Sequence, residues 1–252
     1  MSGPMFHERS AIRRVNGESV LLLGGGRALL LQVAHPLVAA GVADHSTFAS
    51  RRFQRMVRTL RPMHTIVFGT AEQAARSAEH VAHRHKRVVG QGYSASDPEL
   101  QAWVLATLIE TTLTMRARFI GPLRPPLEDA YYRDALRAAD VLGVPRGSLP
   151  GDLAGFRAYF AGMLNTLEVT DTARAIAADL FATRPFVTAP AFLGLRWLTA
   201  GLLPAAVRDQ YGYGWSRWSE TVLSSAAGVS RVVWPRLPRW VRRPPAFLMP
   251  PG

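Results

Sequence analysis

The chain has 252 residues, 48% of them hydrophobic and 19% charged, which are the proportions of a protein that folds around a packed core. It contains no cysteine, so disulfides, thiolate nucleophiles and iron–sulfur clusters are excluded, and any metal ligand must be a histidine, a carboxylate or another oxygen group. The net charge is +12, and Lys86 is the single lysine among 30 basic residues. GC-rich coding alone would produce this arginine bias; the functional alternatives are an anionic lipid, an acidic ligand or nucleic acid. Zinc-finger, RNP and basic-zipper patterns are missing, so we expect no nucleic-acid partner.

The N-terminal stretch lacks the charged-then-apolar order of a secretory signal, so we expect a cytoplasmic protein. The most membrane-like segment, residues 186–207, is interrupted by Pro190, Arg196 and Pro204. An arginine at the centre of a membrane span costs about 2.5–3.5 kcal/mol on insertion scales. We therefore expect this segment to form a buried helix pair or to dock on a surface, rather than to cross a membrane.

Helical periodicity runs through the whole chain and alternating strand patterns are scarce, which predicts an all-α fold of eight or more helices in one domain, residues 1–252. A glycine turn at 24–26 should lead into an apolar helix that restarts near Pro36, and the basic helix that follows should weaken near Pro62. The tail from Trp234 is rich in proline and arginine and is expected to be extended on the surface.

A capping box of Thr70 and Gln73 predicts the start of the next helix, and Gly90 is its natural stop. Beyond it, a long helix that is apolar on most sides should occupy the centre of the fold. The helices predicted after Gly90 cover about 100–119, 127–142, 152–165 and 169–182.

The histidines are the main candidates for metal or cofactor ligands, because all seven lie within the first 85 residues: His7, His35, His45, His64, His80, His83 and His85. On the predicted helix His85 falls on the inward apolar stripe, four residues after Val81 and three before Val88. His80 and His83 lie off that stripe and should be solvated. A buried imidazole needs a partner, so His85 is either a core histidine bonded to a carbonyl or carboxylate, or a ligand of metal or haem iron.

Two further groups of polar residues could carry chemistry. Arg55 and Thr59 lie one helical turn apart with Arg58 beside them, which makes a cationic, hydrogen-bonding edge or, alternatively, a solvated basic face. Glu110 is a single carboxylate in an apolar helix, and we expect an arginine partner for it, with a functional role as the alternative. Asp44 ends the apolar helix that precedes the basic one. Zinc is not expected, because the H-E-x-x-H pattern is missing.

Four stretches occur along the chain in this order: "LLLGGGRALLLQVAHPLVAAGVADHSTF", "RMVRTLRPMHTIVFGT", "HKRVVG" and "YSASDPELQAWVLATLIETTL". In this order they resemble the MpaB-like oxygenase family, which includes the latex-clearing rubber oxygenases. The resemblance extends more weakly over most of the remaining chain. It implies an all-helical fold with globin-like character and one b-type haem held by a histidine.

The resemblance assigns the axial haem ligand to His85 in "HKRVVG". The rubber oxygenases also have the spacing R-x-x-K-T on a distal helix, and "RMVRT" places Arg55, Arg58 and Thr59 there. Arg58 stands in place of the lysine; a lysine can lose its proton and ligate iron, whereas an arginine cannot. Those enzymes have a catalytic glutamate upstream of the arginine, and in this chain Asp44 is the one acidic residue between the glycine turn and Arg55.

Three functions remain open at this stage. The first is a haem b-dependent oxygenase that uses O₂ on an apolar, isoprenoid or lipid-like substrate, with His85 on the iron, Arg55 and Thr59 beside the cofactor, and Arg58 and Asp44 as further catalytic candidates. The second is a haem-binding sensor or electron-transfer protein without turnover. The third is a membrane-peripheral structural protein that has no cofactor and docks on anionic lipid through 186–207 and the arginine-rich tail.

Overall fold

The computed structural model describes residues 3–45, 52–182 and 189–250; for residues 52–59 and 189 it describes the backbone only. The α-helices of these ranges are α1 (Ala11–Asn16), α2 (Gly25–Val33), α3 (Pro36–Asp44), α4 (Arg52–Phe68), α5 (Ala71–His85), α6 (Pro98–Phe119), α7 (Pro125–Val141), α8 (Leu153–Leu164), α9 (Asp171–Phe181), α10 (Ala189–Leu202), α11 (Ala205–Gln210), α12 (Arg217–Val233) and α13 (Arg239–Arg242). Short 3₁₀ helices cover Ser19–Gly24, Trp234–Arg236 and Ala246–Leu248. The all-α prediction is confirmed; the described strands are β1 (Val89–Gly90) and β2 (Tyr93–Ser94), which pair antiparallel as one small hairpin.

Helix α6 is central, as predicted from its apolar character on most sides. Asp97 caps its N-terminus by accepting hydrogen bonds from two backbone N–H groups, and Pro98 fits the first turn, where no N–H partner is needed. Helices α2, α7 and α12 all pack against it. Trp103 is fully buried on α6, stacks on the Phe160 ring at 5.5 Å and donates a hydrogen bond of 3.2 Å to the Leu31 carbonyl. The indole thereby fixes the position of α2 relative to α6.

The glycines at 24–26 do not form the expected turn, because Gly25 and Gly26 already belong to the first turn of α2. Their role is close packing. A Cβ atom on Gly24 would lie 2.7 Å from the Met115 side chain, and one on Gly26 would lie 2.3 Å from Oγ1 of Thr199. Glycine is therefore needed where α2 approaches α6 and α10, and not because of a left-handed backbone.

Three predicted boundaries differ from the structure. Helix α4 continues through Pro62 to Phe68, although proline removes one helical N–H donor, and residues 46–51 of the predicted basic helix lie outside the described residues. Helix α5 ends at His85, four residues earlier than the predicted end at Val89, and Val89 instead begins β1. The tail after Trp234 is not extended; it forms short helical turns.

The core is one large cluster of buried side chains that draws members from α1 to α11, with a smaller cluster where α12 meets α6 and α10. The described part of segment 186–207 forms α10 and the start of α11; residues 199–203 are buried, whereas the N-terminal half of α10 is largely exposed, so the pair is not buried throughout. In the described ranges no single helix has the length and hydropathy of a membrane span, although the stretches Ser19–Val33 and Pro36–Asp44, bent by 106° to each other, pass that test together. The assignment of residues 1–252 to a single domain stays a prediction.

Candidate functional site

The imidazole of His85 stands at the C-terminal end of α5, and the local sequence puts it there. The Thr70 hydroxyl accepts a hydrogen bond from the backbone N–H of Gln73 and the Gln73 side chain accepts one from Thr70, which is the predicted capping box. The apolar side of α5 faces the interior: Ala74 and Ala78 are buried, and His85 is half-buried at the C-terminal end of the helix. His80 and His83 are exposed, as expected from their positions off the stripe.

His85 is suited to remain neutral. Burial disfavours its charged form and so lowers the pKa of the imidazole, and the neighbouring guanidinium of Arg84 lowers it further. Within the described part of the chain the imidazole forms no hydrogen bond through its side chain. The carbonyl or carboxylate partner of an ordinary core histidine is therefore not found among those residues.

Helices α4 and α5 form a hairpin joined by Gly69 and Thr70, and they pack against each other. So short a connection makes the two helices antiparallel. Arg55 lies 14 residues before Gly69, and His85 lies 15 residues after Thr70. At 1.5 Å per residue, both backbone positions are about 21–23 Å from the connection. The fold therefore brings the α4 turn that contains Arg55, Arg58 and Thr59 to the same end of the hairpin as His85, while the side chains of these three residues lie outside the described ones.

The end of α3 meets the hairpin that follows His85. The Tyr93 hydroxyl donates a hydrogen bond of 2.6 Å to Oδ2 of Asp44, and Nε2 of His45 lies 3.3 Å from the Val89 carbonyl oxygen. The Tyr93 and His45 rings meet edge to face at 6.3 Å. The structure thus places Asp44 beside the segment that continues from His85, and its carboxylate is bound to Tyr93.

Two glycines allow the Tyr93 ring to pack this closely. A Cβ on Gly90 would lie 2.4 Å from the ring, and a Cβ on Gly41 in α3 would lie 3.2 Å from its other edge. The hydrogen bond to Asp44 is the largest cause that raises the pKa of Tyr93 to about 12, since a phenolate beside a carboxylate is disfavoured. Tyr93 therefore acts as a neutral hydrogen-bond donor at neutral pH.

Glu110 has the arginine partner that its buried position predicts. It forms an ion pair with Arg27, which also donates 2.7 Å hydrogen bonds to the Thr111 hydroxyl and to the Leu202 carbonyl. Burial lowers the pKa of Arg27, and the charge of Glu110 opposes that shift. An arginine stays protonated in such a site, so this pair joins α2 to α6 and α10 as a charged link.

Sequence reasoning missed two residues near these elements. Tyr93 is 49 positions from Asp44, and no local pattern signals their contact. His35 is the N-cap of α3, and its ring atom Nδ1 is buried with no hydrogen-bond partner among the described residues; burial lowers the pKa of the imidazole. The Pro36 that follows it, at the first helical position, was the available signal for that cap. Among the described residues no group of three or more histidines and carboxylates could hold a metal ion.

A cleft of about 430 Å³ lies apart from the predicted site residues, between α9, α10 and the turn after α11. Its walls include Phe181, Leu193 and Tyr211, together with Arg196, whose guanidinium lies over the Tyr213 ring at 5.1 Å. This cleft contains none of Asp44, Arg55, Arg58, Thr59 and His85, so it does not contribute to the site around α5.

Comparison with known proteins gives one family and two relatives. The family described as "ER-bound oxygenase mpaB/B'/Rubber oxygenase, catalytic domain" matches residues 12–247. Two uncharacterized proteins, from Mycobacterium tuberculosis and Mycobacterium bovis, are each 30% identical to the chain over 202 residues, which cover 75% of this chain and 79% of each relative. No solved structure matches. The matched residues 12–247 contain the α4–α5 hairpin, Asp44 and Tyr93.

Proposed function

Because the chain belongs to the family of the ER-bound oxygenase mpaB/B' and rubber oxygenase catalytic domains, we propose that it is a haem b-dependent oxygenase with His85 as the axial ligand of the iron. The proposed substrate class is small and apolar, such as an isoprenoid or a lipid, with O₂ as co-substrate. The family membership supports an oxygenase. The observation that carries the choice of His85 is its half-buried imidazole, which has a lowered pKa and no hydrogen-bonded partner among the described residues.

The chemistry of His85 fits haem. Iron is bound by the lone pair of a neutral imidazole, and a lowered pKa keeps that lone pair free of a proton. Haem iron needs only one ligand from the protein, whereas a metal ion that is bound by side chains alone needs three or four. In the described ranges the single imidazole is present and a cluster of three ligating groups is not. Bound haem would supply the binding and activation of O₂.

The α4 turn that contains Arg55, Arg58 and Thr59 would complete the same site. Arg55 and Thr59 would contribute hydrogen-bond donors there, and Arg58 a permanent positive charge, which together bind a carboxylate such as a haem propionate or stabilise developing negative charge. Arg58 cannot replace a ligand of the iron, because it does not lose its proton. These three residues would therefore hold the cofactor or the substrate and would not bind the iron.

Absorbance spectra test the proposal directly. The purified protein, titrated with hemin, should show a Soret band with one equivalent bound, and reduction with dithionite should shift it. The His85→Ala variant should lose this band or bind hemin at least about tenfold more weakly, because even the loss of a group that only orients a metal ligand costs roughly 10–100-fold in affinity. His83→Ala is the matched control, because His83 is exposed on the same helix, and it should bind like the wild type. Full hemin occupancy in His85→Ala would contradict the assignment.

A second candidate, a haem protein without turnover, is favoured by one observation. Asp44 is the only carboxylate between the α2 glycines and Arg55, and its Oδ2 accepts the 2.6 Å hydrogen bond from Tyr93. A carboxylate held in this way has a structural task. An oxygen electrode separates the two candidates: the oxygenase consumes O₂ in proportion to an added isoprenoid or lipid when a reductant is present, whereas a sensor or electron-transfer protein shows no such dependence.

A further inference from the structure

Helix α12 presents an apolar stripe to solvent. Leu223 and Ala227 on its inner side are buried against α6 and α10. With 100° of rotation per residue, the opposite side carries a set of large apolar side chains, and all of them are exposed: Trp218, Val222, Val229, Val232 and Val233. We call these five residues the α12 stripe. Trp218 is 74% exposed and Val229 is 62% exposed, so large apolar side chains meet solvent at both ends of this side of the helix.

Exposed arginines occur at both ends of α12 and in the segment that follows it, and no ion pair neutralises them within the described part of the chain. Five exposed arginines belong to α12 and the segment after it: Arg217, Arg231, Arg236, Arg239 and Arg243. The nearby carboxylates have other partners, since Glu220 pairs with Arg118 and Glu18 pairs with Arg242. Trp240 stands among these arginines on α13 and is 80% exposed. The surface therefore combines exposed aromatic and aliphatic side chains with a local excess of positive charge.

This surface is held in place by hydrogen bonds. Glu18 accepts a bond of 2.8 Å from the Trp234 indole and one of 3.1 Å from Nε of Arg242, so the segment after α12 is fastened to the N-terminal part of the chain. Ser230 donates a bond of 2.8 Å to the Phe119 carbonyl at the end of α6. The apolar and basic side chains are thus presented by anchored backbone, which reduces the entropy lost on binding.

We propose that the α12 stripe and the arginine-rich segment 236–243 form a docking surface for an anionic lipid bilayer. The stripe enters the headgroup region, where tryptophan and valine side chains leave water, and the arginines bind lipid phosphates and carboxylates. An amphipathic helix that lies in the plane of the interface works in this way, and anionic lipid adds attraction for each nearby basic side chain. The docking does not depend on the haem proposal.

The charges favour lipid over two other occupants. A second copy of the chain that covered the stripe symmetrically would bring two sets of five arginines together without carboxylates to neutralise them. Nucleic acid would account for the arginines, but it offers no apolar surface for Val222, Val229 and Val232. Anionic lipid satisfies both components.

Sedimentation with vesicles tests the docking. The full-length protein should bind vesicles of phosphatidylcholine and phosphatidylserine, should bind pure phosphatidylcholine weakly, and should be released by salt. Trp218→Ser with Val229→Ser should lower the partition coefficient roughly tenfold. Arg239→Gln with Arg243→Gln should lower it about 30-fold for the anionic vesicles only. Leu193→Ser is the control, because Leu193 is 58% exposed on α10, which belongs to the other segment that could dock. This variant should bind vesicles like the wild type.

Each alternative has its own outcome, and each would overturn the proposal. Unchanged vesicle binding by both double variants, with native circular dichroism, rules out this surface. Loss of binding in Leu193→Ser alone moves the docking to α10. A concentration-dependent dimer that the α12 variants abolish, without any vesicle binding, assigns the stripe to a second copy. Binding to duplex DNA with no binding to anionic vesicles assigns the arginines to nucleic acid.

Discussion

The hydroxyl of Tyr93 donates a hydrogen bond of 2.6 Å to Oδ2 of Asp44, and this bond joins the end of α3 to the hairpin that follows His85. The bond is the main reason that the pKa of Tyr93 is raised from 10.0 to about 12. We expect Asp44→Asn to return that pKa toward 10.0, because the amide carries no charge to oppose the phenolate. Phenolate absorbance, recorded as a difference between the two proteins over alkaline pH, measures the change.

The same bond makes stability depend on pH at the alkaline end. A raised folded-state pKa means that the folded protein prefers the protonated phenol, so the contribution is complete below pH 10 and is lost as pH rises toward 12. Asp44→Asn should therefore lose less stability than the wild type across this window. Tyr93→Phe removes the titrating group and serves as the control. Identical phenolate titrations of wild type and Asp44→Asn would show that the hydrogen bond is not formed in solution.

Gly26→Ala should destabilise the protein by roughly 1–3 kcal/mol, because its Cβ would lie 2.3 Å from Oγ1 of buried Thr199 and force α2 away from α10. Gly25→Ala is the matched control: no atom from another described part of the chain lies within 4 Å of the added Cβ, and alanine in a helix should stabilise by about 0.5–1 kcal/mol. Urea unfolding measures both. Adding Thr199→Ala should restore part of the loss in Gly26→Ala, and failure to do so would place the strain elsewhere.

The Arg27–Glu110 pair predicts an asymmetric mutational response. Glu110→Leu leaves the guanidinium of Arg27 buried without a counter-ion and should cost roughly 3 kcal/mol. Arg27→Met leaves a carboxylate whose side chain is 24% exposed and whose Oε1 still accepts the hydrogen bond from Thr114, so it should cost less. The double variant should be more stable than Glu110→Leu alone, because no charge is left unpaired. Additive losses in chemical denaturation would mean that the two charges do not interact.

His64 should contribute to acid sensitivity. Its ring packs on Phe68 at 5.9 Å and its Nδ1 lies 3.0 Å from the Leu60 carbonyl, and burial lowers its pKa from 6.5. The folded state therefore prefers the neutral ring, so this contribution is complete above pH 6.5 and is lost as pH falls below it. His64→Phe should give a shallower decline in the free energy of unfolding between pH 6.5 and pH 5. An equal or steeper decline would contradict the burial of a neutral imidazole.

Local signals predicted the parts of the fold that depend on neighbouring residues. Helix α6 was predictable because a capping aspartate, a following proline and apolar side chains on every face all occur within one stretch. The capping box of α5 was predictable for the same reason, and so was the pairing of Glu110 with an arginine. That Arg27 is the partner depends on tertiary packing, since the two residues are far apart in sequence.

Long-range contacts decided the features that sequence reasoning missed. Gly24 and Gly26 signal a turn by composition, yet they are required by Met115 and Thr199, which lie far away in the chain. Pro62 signals a break, yet packing against α5 keeps α4 helical through it. In the candidate site, helical spacing and family resemblance predicted His85, whereas the bond between Tyr93 and Asp44 has no signature in either stretch.

Arg55 and His85 are nearly the same number of residues from the connection between α4 and α5, so the number of residues in each helix determines whether the two positions lie at the same level. Adding one residue to α5 before His85 turns the imidazole by 100° about the helix axis and moves it 1.5 Å along that axis. Adding four residues turns it by about 40° and carries it about one turn farther out. A change in the number of residues in either helix is therefore expected to separate His85 from the Arg55 end of α4, even when both residues are kept.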